Sequence, residues 1–96
     1  MSNDERVERE LALLFRERRP SLLAQIDVIR DYRHGLAGAD QAREAAHRLA
    51  GTLGLFGFSE LGDAASHVEA DLAATTQSPI GRLDDFIERA RSLLSG

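Results

Sequence analysis

The sequence predicts an all-α protein, an up-down antiparallel four-helix bundle with a shorter N-terminal helix, and three observations carry that expectation. Apolar residues recur every three or four positions along almost the whole chain, a helical period, and no segment alternates as a strand would. Short stretches rich in Gly, Pro, Ser and Thr separate the periodic segments, and short loops between amphipathic helices favour antiparallel neighbours. Finally, 96 residues suffice for one hydrophobic core and not for two, so residues 1–96 are expected to form a single domain.

Five helical segments follow in order. The first spans about Asp4 to Arg18, with Val7, Leu11, Leu14 and Phe15 on one face and acidic residues at its positive N-terminal end. Pro20 is expected to interrupt it and to open a second helix, ending near Arg33, whose buried stripe is Leu22, Leu23, Ile26 and Ile29. Gly35 to Gly38 reads as a turn. The third helix runs from about Asp40 to Phe56, with Ala42, Ala46, Leu49, Leu53 and Phe56 on its seam and Gly57 as a left-handed stop. Ser59 is placed to cap a fourth helix with the seam Leu61, Ala65, Val68 and Leu72. Thr75 to Ser78 form a loop, and Ser78 followed by Pro79 suits the start of a last helix carrying Ile80, Leu83, Ile87, Ala90 and Leu94.

Composition narrows the function classes. With 43% hydrophobic and 29% charged residues the chain is neither disordered nor membrane-embedded, and no apolar run approaches the roughly 20 residues of a membrane span. The amino terminus lacks the basic-then-apolar plan of a secretory signal, so the expected location is the cytoplasm. A net charge of −4 argues against nucleic acid as a partner. The absence of cysteine removes thiol chemistry and thiolate metal sites. No pair of histidines has the i, i+4 spacing of a helical zinc site, and Gly51 to Gly57 matches neither phosphate-loop pattern, so no metal and no cofactor are expected.

The chemistry points to His47. It lies about 140° from the apolar seam of its helix, with Gly51 one turn and Gly54 two turns further on, so the surface beside the ring carries no side chains. Each mid-helix glycine costs about 1 kcal/mol relative to alanine, and access to an outward imidazole is the simplest reason to tolerate two. The following hairpin turns near Phe58, which places His47 eleven residues before the turn and Glu69 eleven after it, at one level. Glu69 flanks the core of its helix and can reach across to His47, whereas His67 projects away. A carboxylate accepting the Nδ1 proton would fix the tautomer and leave Nε2 outward. The plainer reading of Glu69 is a solvated residue pairing with a helix neighbour. His34 and His67 read as ordinary surface residues.

The run His-x-Leu-x-Gly at His47, Leu49 and Gly51, preceded by Ala46 and followed by Gly57, resembles the histidine-containing phosphotransfer (HPt) domains of phosphorelays. The resemblance implies a phosphoryl group accepted on His47 and relayed to or from an aspartate of a receiver domain. It implies no autonomous catalysis: a histidine kinase or hybrid kinase receiver domain and a response regulator receiver domain are the expected partners, and they bring the Mg²⁺ and the catalytic groups. By spacing, Glu69 matches the position where the family commonly carries a carboxylate or amide bonded to the imidazole. The family also usually carries lysine three residues after the histidine, where this chain has Ala50. All twelve basic residues here are arginine, and Arg43, at i−4 from His47, is the expected substitute, with Arg48 pointing elsewhere. The expected phosphoryl and receiver docking strip is therefore Arg43, Ala50, Gly51 and Gly54. The alternative is a non-phosphorylated helical adaptor that docks a signalling partner through the same glycine-lined face.

Overall fold

The computed structural model describes residues 3–74 and 80–95. They form four helices: α1 Asn3–Arg33, α2 Ala39–Leu55, α3 Ser59–Ala73 and α4 Ile80–Ser95. Helix α1 packs against α2 and α4, α3 packs against α2 and α4, and the diagonal pairs stay apart among the described residues, which is the neighbour order of an up-down bundle.

The core is built from the expected seams. Leu22, Ile26 and Ile29 of α1, Ala46, Leu49 and Leu53 of α2, Leu61, Ala65 and Val68 of α3, and Leu83, Ile87, Ala90 and Leu94 of α4 are all buried. Ala45 and Phe86 join them from positions adjacent to the expected stripes. Phe56, Leu23 and Leu72 are partly buried at the margin. The expected loop Thr75 to Ser78, its Ser78–Pro79 cap and the side chain of Ile80 lie outside the described residues.

Two elements differ from the sequence expectation. The shorter N-terminal helix does not exist as a separate element, because α1 runs through Pro20 and is the longest of the four. A mid-helix proline removes the hydrogen bond to the carbonyl four residues earlier and costs about 3 kcal/mol. Here Arg16 and Pro20 are both exposed, so water can take up the freed carbonyl, while Phe15 before the proline and Leu22, Ile26 and Ile29 after it are anchored in one bundle. Packing of both flanks outweighs the local preference. Val7, expected on a buried face, is 51% exposed, because α1 extends past the bundle at that point.

Both described interhelical turns end in a left-handed glycine. After α2, Gly57 has φ +85°, Phe58 N donates to Leu53 O at 2.9 Å and Gly57 N to Gly54 O at 3.3 Å. After α1, Gly35 has φ +76°, with Leu36 N donating to Asp31 O and Gly35 N to Tyr32 O. This pairing of crossed bonds is the Schellman stop, which satisfies the last carbonyls of the helix and reverses the chain. Ser59 turns out to be the first residue of α3 rather than its cap: Phe58 holds the cap position without a side-chain bond.

Candidate functional site

The tight reversal at Gly57 fixes the register of α2 against α3, and that register brings His47 and Glu69 together. His47 Nδ1 lies 2.9 Å from Glu69 Oε1. An ionised carboxylate can only accept, so Nδ1 carries the proton and donates, and in the neutral ring that tautomer leaves the lone pair on Nε2. The His47 side chain is 74% exposed, whereas Glu69 is 32% exposed. The carboxylate thus sits in the flank of the α2–α3 interface and holds the ring from below, while the ring faces solvent.

His47 and Glu69 share a shallow hollow with Asp40, Arg43 and Glu44. Arg43 is the cation of this group, about half exposed, with its Nη2 3.5 Å from Asp40 Oδ1. That contact is weak and surface-exposed, so the guanidinium can exchange partners at little cost. Arg48 instead pairs with Glu44 at 2.6 Å and lines the grooves on the α1 side, away from the ring. Asp40 and Glu44 were not singled out by the sequence reading. Their spacings, i−7 and i−3 from His47, place them on the same helix face and were the available signal.

Gly51 and Gly54 are exposed, and a Cβ built on either meets nothing within 4 Å. They do not line the hollow around His47; they extend the open face of α2 toward the hairpin turn. Ala50 is half-buried and packs against the core at the α2–α3 margin. A third glycine, Gly62 of α3, is buried, and there a Cβ would lie 3.2 Å from Ala50 O and 3.4 Å from Gly54 N. Helix α3 therefore rides close on the α2 backbone at the level of the glycine strip. Only the loss of a side chain at a position beside the seam residue Leu61 hinted at this in the sequence.

His67 is exposed on the other flank of α3, in a separate hollow with Asp85 and Arg89 of α4, and His34 is exposed just after α1. Neither approaches His47. Among the described residues no group of three or more His, Asp or Glu side chains is arranged to hold a metal ion, and no helix is long and apolar enough to cross a membrane.

The structure is thus a helical bundle with an outward imidazole bonded at Nδ1 to a carboxylate across a helical hairpin, beside an open glycine face. The family model for the Hpt domain matches residues 10–93, and the chain belongs to that family. No curated protein and no solved structure matches the chain. Family membership assigns the protein a general role in phosphorelay, and Hpt domains generally act as phosphotransfer intermediates between kinase and receiver domains.

Proposed function

We propose that this domain accepts a phosphoryl group on Nε2 of His47 and passes it to or from an aspartate of a receiver domain, acting in the cytoplasm between a histidine kinase, or the receiver of a hybrid kinase, and a response regulator. The observation that carries the proposal is the His47–Glu69 bond. In the accepting direction the Nε2 lone pair attacks phosphorus, an N–P bond forms, and the P–O bond to the receiver aspartate breaks with its electron pair leaving on the carboxylate. The ring keeps its Nδ1 proton and gains positive charge as the N–P bond forms. Glu69, already bonded to that proton, stabilises this developing charge more strongly than it does the neutral ring, which is the differential interaction that lowers a barrier.

The rest of the hollow matters for the phosphoryl charge. Asp40, Glu44 and Glu69 bring three carboxylates, of which Glu44 is paired with Arg48 at 2.6 Å and Asp40 lies 3.5 Å from Arg43, the guanidinium that lines the hollow. A phosphoryl group arriving there meets a negative surround, so Arg43 is assigned to bond its oxygens, with the receiver domain supplying the remaining positive charge and its divalent cation. The strip Ala50, Gly51 and Gly54 is assigned to the approach of the receiver backbone. Incubation with a phosphorylated receiver domain tests the proposal. Native protein should take up phosphate that is acid-labile and base-stable, and His47→Gln should melt as native yet take up none. Partner binding by the native protein without phosphate incorporation would favour the adaptor reading instead.

A further inference from the structure

Helix α1 has 31 residues where its neighbours have 15 to 17. At about 1.5 Å per residue it accounts for most of the 51 Å long axis of a molecule only 19 Å across. Phe15 packs on Phe56 and Phe58 at the hairpin turn, with ring centroids 5.4 Å apart in both pairs. That contact marks the end of the bundle, and the residues before it project past it. The projecting turns continue a helix already nucleated in the bundle, and they carry an apolar residue, Val7, that is 51% exposed.

At about 100° per residue, Asp4, Val7, Leu11, Leu14 and Arg18 fall within roughly 80° of one another and form a single stripe. The stripe reads acid, three apolar residues, base. Turned end for end about Leu11, Asp4 stands opposite Arg18, Leu11 opposite Leu11, and Val7 within one residue of Leu14, beside a Phe15 already packed on Phe56 and Phe58. Parallel pairing would instead stack acid on acid and base on base. Leu14 and Arg18 also form one wall of a groove of about 350 Å³ between α1 and α2, whose other wall includes Leu55, 62% exposed, and Phe56. The groove lies at the level that Val7 of a second copy would reach.

We infer that the projecting half of α1 is a self-association surface, on which two copies pair antiparallel about Leu11 with Asp4 of each meeting Arg18 of the other. A contact confined to one stripe of a single helix is expected to be weak, and the concentration range to scan is roughly 1 μM to 1 mM. Sedimentation equilibrium of the full chain across that range reads it directly. Native protein should pass from monomer to dimer. Leu11→Asp and Arg18→Asp should each raise the dissociation constant at least tenfold with unchanged melting, and the swap Asp4→Arg with Arg18→Asp should restore it to within about threefold of native. A native chain that stays monomeric throughout, a dimer indifferent to Leu11→Asp, or a charge swap no tighter than Arg18→Asp alone would overturn the inference. None of these outcomes depends on whether His47 accepts phosphate.

Discussion

Replacing Glu69 by alanine removes the carboxylate bonded to the His47 ring, and the structure sets the size of the effect. A hydrogen bond to a charged group contributes about 1.5–3 kcal/mol when both partners are withdrawn from water. Here the carboxylate is mostly shielded but the ring is 74% exposed, so solvent competes for Nδ1 and the lower end applies, about 1–1.5 kcal/mol. Fully expressed in the transition state, that is roughly a five- to tenfold slower transfer. Quenched-flow transfer from a phosphorylated receiver domain measures it, with thermal melting as the control for folding. Glu69→Gln keeps an acceptor oxygen and loses the charge, so its rate should fall between native and Glu69→Ala. The reasoning fails if Glu69→Ala transfers at the native rate, or if it slows only in proportion to a loss of folded protein. A rate order in which Glu69→Gln is the slowest variant would also refute it, because the charge would then be harmful.

Three further perturbations separate the parts of the account. Gly51→Leu adds a side chain into open space, so stability should rise by about 0.5–1 kcal/mol in urea melts while transfer from the receiver collapses; normal transfer would remove Gly51 from the docking face. Arg43→Ala should shorten the lifetime of phosphohistidine severalfold, measured by loss of label over time, and adding Ala50→Lys should recover part of it. Gly62→Ala places a Cβ 3.2 Å from the Ala50 carbonyl oxygen, and the contact is with backbone on both sides. Helix α3 must therefore shift, and the domain should lose about 1 kcal/mol in urea melts despite better helix propensity.

The fold was legible because each helix declares its buried side by period alone: of the described seam residues of α2, α3 and α4, all are buried except Phe56 and Leu72, which sit at the margin. Helix α1 was not. Pro20 is a strong local signal, and reading it as a break neglects the tertiary packing of Phe15 and Leu22 on either side, which no local rule contains. The exposure of Val7 was hidden for a related reason: periodicity shows that a face is apolar, not that a neighbour exists to cover it. At the site, equal spacing about the hairpin turn was enough to pair His47 with Glu69 and to send His67 elsewhere, since a Schellman turn leaves little freedom in register. The separation of Arg43 from Arg48 also followed from helical angle. Gly62 escaped notice because the partner it approaches is the backbone of α2, which leaves no pattern in side-chain identity.

The central claim is that Glu69 holds the Nδ1 proton so that Nε2 of His47 is the nucleophile. The most direct measurement is nuclear magnetic resonance of the ¹⁵N-labelled protein before and after phosphorylation, which reports the protonation of each ring nitrogen and the nitrogen bonded to phosphorus. The account predicts a protonated Nδ1 on His47 in the free domain and a single ¹⁵N–³¹P coupling at Nε2 of the same ring after transfer. Phosphorus coupled to Nδ1, or to any nitrogen of His34 or His67, would contradict it.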